Sequence, residues 1–167
     1  MPPSNESLGK TVRSSTPSVE GHRSPKMEFP TSYLNVDDVL EIFEALIGSP
    51  RELLRSPDLL ESAVFAPQQS AFGEDAYPTI GRKAWAYLHG LAQNHAFVNG
   101  NKRIAWATAR AFLLVNGIGI KAPTPVVEDL IVRLAAGNAD EDEVLTFFEE
   151  HGYVLEDVRL ADDSGTS

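Results

Sequence analysis

The 167-residue chain carries a formal net charge of −10, a hydrophobic fraction of 43% and no cysteine. That length fits one domain with tails and a proper apolar core, while disulfides, thiolate metal sites and a cysteine nucleophile are excluded. The acidic balance argues against general nucleic-acid binding, which favours a basic domain.

No run of about 18 apolar residues and no signal-peptide arrangement occurs, so a cytoplasmic protein without a membrane anchor is expected. The net charge conceals an asymmetry. Residues 76–127 contain no Asp or Glu, whereas Arg82, Lys83, Lys102, Arg103, Arg110 and Lys121 all fall there. Such a segment is either a local positive field suited to a phosphate-bearing ligand or a surface that lacks acids by chance.

Residues 1–30 are rich in Ser, Pro, Thr and Gly without periodicity, and a disordered tail is expected there. Met27, just before the first periodic segment, is a candidate natural start. Asn35 suits the N-cap of a first helix, with Asp37 and Asp38 on its positive end. Val36, Val39, Leu40, Phe43, Leu46 and Ile47 recur at helical spacing, and Gly48 with Pro50 stops it. Ser56 and Pro57 open a second helix that ends before Pro67.

Residues 67–78 carry turn formers and two aromatics, and are expected to form a surface loop or short hairpin. Ile80, Ala84, Tyr87, Leu88 and Leu91 predict a third helix over 79–94. Ile104, Ala105, Ala107, Thr108, Ala109, Ala111, Phe112, Leu113 and Leu114 are apolar or small nearly all round, which predicts a central buried helix over 104–116. Thr124 with Pro125 opens a fifth helix closed near Gly137, and Asp140 caps a sixth closed at Gly152. The expectation is an all-α domain of about six helices with one short flap or hairpin. It spans residues 31–152, between the tail at 1–30 and an acidic, frayed tail at 153–167.

Between the third helix and the central one stands His95-Ala96-Phe97-Val98-Asn99-Gly100-Asn101-Lys102-Arg103. An imidazole near neutral pKa can take a proton from an incoming hydroxyl. Asn99-Gly100-Asn101 can turn tightly and expose backbone N–H groups as an anion nest at a helix N-terminus. Lys102 and Arg103 add full charges, and Arg a bidentate fork for phosphate. Two cations in a first turn oppose the helix dipole, and a bound anion would relieve them. A plainer reading stays open: Asn101 as an ordinary cap, Phe97 as a core residue and the cations as solvated surface.

The pattern His95-x-Phe97-x-Asn99-Gly100-Asn101-Lys102-Arg103 resembles the signature of the Fic/Doc superfamily, specifically its death-on-curing (Doc) toxin branch. The resemblance runs over residues 33–151 and includes Leu59-Leu60-Glu61-Ser62-Ala63, Pro67-Gln68, Phe72-Gly73 and Tyr77-Pro78. It implies an all-α Fic fold whose motif loop joins two central helices and whose flap, at 67–78, docks a target chain in extended form. Fic enzymes generally transfer AMP from ATP to a hydroxyl. Doc toxins instead transfer the terminal phosphate of ATP to a threonine of elongation factor Tu and arrest translation.

The resemblance makes His95 the general base and Phe97 the core anchor of the loop. Gly100 and Asn101 become phosphate and loop contacts, and Lys102 and Arg103 the catalytic phosphate clamp. Asn99 falls where the family holds Mg²⁺ with an acid, so it is the metal-ligand candidate and groups with Gly100, Asn101, Lys102 and Arg103 as the ATP-binding set. Lys102 stands where AMP-transferring members have Gly, and Trp106 where they have a second Arg, which favours the kinase over the AMP transferase. Ala96 replaces the commoner Pro.

Thr16-Pro17-Ser18-Val19-Glu20-Gly21 matches a self-inhibition pattern of Fic proteins, in a stretch too rich in Ser and Pro for a good helix. The usual partner in this branch is a separate Phd-like antitoxin whose disordered tail folds into a groove on the toxin. The expected function is therefore that of a bacterial toxin kinase of a toxin–antitoxin pair. AMP transfer is the alternative, as is a non-catalytic nucleotide- or protein-binding role on account of Asn99.

Overall fold

A computed structural model describes residues 30–155. The expected tail at 1–30 thus lies, save for Pro30, outside the described residues, together with His22, Met27 and the Thr16 to Gly21 pattern; so does 156–167. The compact unit that carries the motif loop begins at Ser32. Helix α1, Val36–Leu46, starts at a reciprocal capping box: Asn35 Oδ1 accepts the Asp38 N–H (2.8 Å), and the Asp38 carboxylate accepts the Asn35 N–H (2.9 Å). Two opposed hydrogen bonds fix where that helix begins, so Val39 and Phe43 reach the core.

Pro50 does not merely stop α1. It opens a one-turn helix α2, Pro50–Leu53, because a proline suits the first position of a helix as well as it ends one. Helix α3, Pro57–Phe65, begins where Ser56 Oγ accepts the Leu59 N–H. A 3₁₀ turn at Ala66–Gln68 leads into a hairpin of β1, Ser70–Ala71, and β2, Glu74–Asp75, with Phe72-Gly73 as its turn.

Helix α4, Ile80–Asn94, is capped by Thr79, and α5, Asn101–Val115, follows the motif loop. These two helices form the axis of the fold. Tyr87, Leu88 and Leu91 of α4 and Ile104, Ala105, Ala109 and Phe112 of α5 are buried, each large side chain among them contributing on the order of 2 kcal/mol of burial free energy. Helix α5 is central, as its small and apolar residues predict, but one face is open, with Lys102, Arg103 and Arg110 exposed. Helices α6, Thr124–Ala135, and α7, Glu141–His151, close the other side.

Among the described residues seven helices stand where about six are expected, the addition being α2. A second ribbon is also present: β3, Ile118–Ile120, pairs antiparallel with β4, Gly152–Val154. Three residues are too few to display an alternating pattern, and their partner lies beyond two helices in the chain. Gly119 lets the half-exposed Tyr153 ring lie over the ribbon where a Cβ would project. The architecture is otherwise the mostly helical one expected, and among the described residues no helix is long and apolar enough to cross a membrane.

Candidate functional site

The motif loop is bracketed by two left-handed residues. His95 caps the C-terminus of α4 at φ 55°, ψ 44°, and Gly100 precedes α5 at φ 84°. At Gly100 a side chain would be strained by the backbone and crowded as well, since a Cβ would lie 3.0 Å from Ile47 Cδ1 and 3.4 Å from Phe43 Cε2. The glycine therefore lets the loop close onto α1.

Between those hinges the loop is strapped down on two sides. The chain running from α2 to α3 lies alongside it: Val98 N–H donates to the Leu53 carbonyl (2.8 Å), and the N–H groups of Arg55 and Ser56 both donate to the Ala96 carbonyl (2.8 and 3.0 Å). The Arg55 guanidinium donates to the His95 carbonyl at 2.7 Å, a charge-assisted bond that holds the left-handed residue in place. Beneath, the buried Phe97 ring stacks on Phe43 with centroids 3.9 Å apart and planes 11° from parallel.

Asn101 turns toward the loop. Its Oδ1 accepts the Phe97 N–H (3.1 Å) and its Nδ2 donates to the Phe97 carbonyl (2.9 Å). The amide thus engages one peptide unit of the loop. It does not cap α5, whose N-cap is Gly100, and keeps one Nδ2 N–H beyond these two bonds. Of the two roles the resemblance implies for it, the loop contact is the one its geometry matches.

With Asn101 turned inward, the N-terminus of α5 is left without a side-chain cap and without an acid in its first turn. Ile104 N–H is the first to bond back, to the Gly100 carbonyl at 2.9 Å, so the N–H groups of residues 101–103 have no intrahelical acceptor. Lys102 and Arg103 are exposed on that same turn. Each cation there costs about 0.3–1 kcal/mol against the helix dipole, a conflict that an anion at the turn would remove.

Beside this turn opens a cavity of about 610 Å³ between α5, the end of β3 and α6. Lys102, Arg103, Arg110 and Lys121 line it together with Trp106, and Glu128 is the only acid on its wall. Among the described residues none of these four cations is in an ion pair, whereas Arg82, Lys83 and Arg133 all are. The positive field expected of residues 76–127 therefore has a definite location. Lys83 does not belong to it, being buried and paired with Asp75.

His95 is exposed at the rim of the loop, and Asn99 is exposed in its turn. Among the described residues no three of His, Asp and Glu converge. Asn99 itself offers a metal ion one amide oxygen and no charge. The other two histidines among the described residues have packing roles. His89 stacks on Trp85 at 4.7 Å, and burial holds its pKa below the usual value against an opposing pull from Glu141. His151 lies against Phe147.

Arg55 escapes the sequence reading, and Arg110 and Lys121 enter it only as members of the acid-free segment, not as site residues. Arg110 carries a signal, because it follows Arg103 and Trp106 at helical spacing along one face of α5. Arg55 carries no signal and Lys121 only its charge in that segment, since both reach the site by packing of segments distant in sequence.

Residues 33–113 match the Fic/DOC family. Over 116 residues the chain is 42% identical to a protein named Toxin Doc from Mycolicibacterium smegmatis, an alignment that takes in 68% of this chain and 88% of that relative. A likeness of that extent, reaching through the strapped loop and both central helices, establishes that the chain belongs to the Fic/DOC family.

Proposed function

We propose that the protein is a Doc-type toxin that transfers the terminal phosphate of ATP to a threonine hydroxyl of a translation factor, elongation factor Tu, and acts in the cytoplasm. The observation that carries this reading is the set of unpaired cations, Lys102, Arg103, Arg110 and Lys121, gathered at an uncapped helix N-terminus around one cavity beside an exposed histidine. Family membership and the Toxin Doc relative support a transferase that handles nucleotides.

His95 accepts the proton of the target hydroxyl as its oxygen attacks the γ-phosphorus. The bond from that phosphorus to the β,γ-bridging oxygen breaks, and ADP leaves. The backbone N–H groups of residues 101–103, Lys102 and Arg103 meet the charge on the phosphoryl oxygens, while Arg110 and Lys121 hold the rest of the triphosphate. Such a transfer asks the protein mainly for positioning and charge stabilisation. The β1–β2 hairpin receives the target segment as an added strand. A Phd-like antitoxin restrains the toxin from outside.

Incubation with elongation factor Tu and γ-labelled ATP tests the reading, with a Doc toxin as positive control. Label on a target threonine is the expected result. Transfer only from α-labelled ATP would replace phosphate with AMP transfer, and no transfer from either would leave a binding protein. Trp106, standing where AMP-transferring members carry an arginine, favours the first outcome.

A further inference from the structure

We infer that Lys83 is a positioning residue that clamps the β1–β2 hairpin to α4, the helix that also carries His95, and so fixes where a bound protein segment lies relative to the base. The inference rests on the reading above in taking that hairpin as the docking element for the target.

The hairpin cannot orient itself. Each of its strands has two residues, all of them exposed, and an isolated two-stranded ribbon of any length is marginal in water. Its turn, Phe72-Gly73, adds no packing: Phe72 is fully exposed at φ 55°. At the neck, Ala76 N–H donates to the Gln69 carbonyl at 2.9 Å, which closes the ribbon but does not aim it.

The ascending arm is rooted in the 3₁₀ turn with its buried Pro67, and the descending arm is held by Lys83. The lysine is 3% exposed, and among the described residues it is the only buried charged side chain. Its ammonium donates to Asp75 Oδ2 at 3.2 Å, in β2, and to the Tyr77 carbonyl just beyond. It also stands 5.7 Å from the centroid of the Tyr33 ring. A carboxylate, a carbonyl and an aromatic face thus divide the three N–H bonds of one ammonium.

Two of those partners belong to the descending arm of the hairpin, and α4 carries the lysine as a rigid rod. From position 83 to position 95 is about 18 Å along the helix axis at 1.5 Å per residue. The hairpin and the base are therefore referred to one body through one side chain. Burying a charge is costly unless it is fully paired, and an apolar residue of equal volume would serve packing at least as well. The lysine sits where its charge has a use only in gripping the hairpin.

The test is Lys83→Met, which keeps the stem and removes the charge, with Lys83→Arg as the charge-retaining control. Asp75→Asn is a second, milder variant on a half-exposed side chain that does not threaten folding. Hydrogen exchange should quicken about tenfold at the Ala76 amide in Lys83→Met, as expected for losing a charge-assisted bond, while the core amides of α4 and α5 stay protected. KM for the protein target should rise about tenfold, ATP affinity and kcat should change less than twofold, and Lys83→Arg should recover part of the loss.

Unchanged hairpin exchange in both Lys83→Met and Asp75→Asn would overturn the clamp, even with the wild type phosphorylating its target. A fall in kcat with KM unchanged would overturn the positioning role. Wild-type protein that transfers no phosphate, yet loses hairpin protection in Lys83→Met, would instead sink the phosphotransfer reading and leave the clamp standing.

Discussion

The motif loop and the β1–β2 hairpin are both irregular connections to α4, and they are built on opposite plans. The loop is held by six hydrogen bonds from the residues around α2 and from Asn101, by a stacked phenylalanine pair and by a glycine in contact with α1. The hairpin projects into solvent and is tied to the fold only at its roots, by the 3₁₀ turn with its buried Pro67 on one arm and by Lys83 on the other. The proposed transfer site would need its charges within a fraction of an ångström of the reacting atoms, which an over-determined loop provides. An element that receives a flexible chain can remain open, provided that its base is fixed.

Replacing the base is the largest way to break that contrast. His95→Ala should lower transfer by a factor on the order of 10²–10⁴, with circular dichroism and thermal unfolding unchanged because the imidazole is exposed. Retained activity would remove His95 from the mechanism.

Loosening the loop comes next. Asn101→Ala deletes both bonds to the Phe97 peptide and leaves a partly buried N–H and C=O unpaired, so denaturant unfolding should show a loss of about 2–3 kcal/mol. If the amide were mainly a phosphate ligand, ATP affinity would fall while stability held.

Helix α4 itself separates the two regions, and Tyr87, one turn after Lys83, can report on it. The phenol is buried, donates to the Leu34 carbonyl (3.1 Å) and accepts the Leu34 N–H (2.9 Å); burial raises its pKa to about 12. The folded pKa lies above the unfolded value of 10.0, so this contribution is fully present below pH 10. It is lost as pH rises to about 12, amounting to roughly 2–3 kcal/mol at 1.36 kcal/mol per pKa unit. Tyr87→Phe should abolish that part of the alkaline slope in urea unfolding while lowering stability at neutral pH.

The smallest effect belongs to the hairpin tip. Phe72→Gly removes a left-handed, non-glycine residue from the turn and should stabilise the ribbon by roughly 1 kcal/mol, seen as slower exchange. Because Phe72 is wholly exposed, a target that contacts it should show a severalfold higher KM in the variant. An unchanged KM would confine docking to the strand edge.

Much of this organisation is legible in order along the chain, because its determinants are local. Asn35, Ser56, Thr79 and Asp140 each cap a helix through an N–H three residues on, and the helices start where those residues say they should. The Phe72-Gly73 turn likewise belongs to the segment expected to form a loop or hairpin. Helix α2 is missed because Pro50 serves two local purposes, ending one helix and opening another.

What the sequence by itself determines is the helical class, the motif spacing and the kinship they carry, since caps, periodicity and a nine-residue signature are all read within a few positions. Only the tertiary structure decides that Asn101 turns inward, that Arg55 and Lys121 come to the loop and the cavity, that Lys83 leaves the positive field to grip the hairpin, and that β3 meets β4. Each of these depends on which distant backbone lies within reach of a side chain, and that is set by how α4 and α5 pack against the rest rather than by any neighbour in the chain.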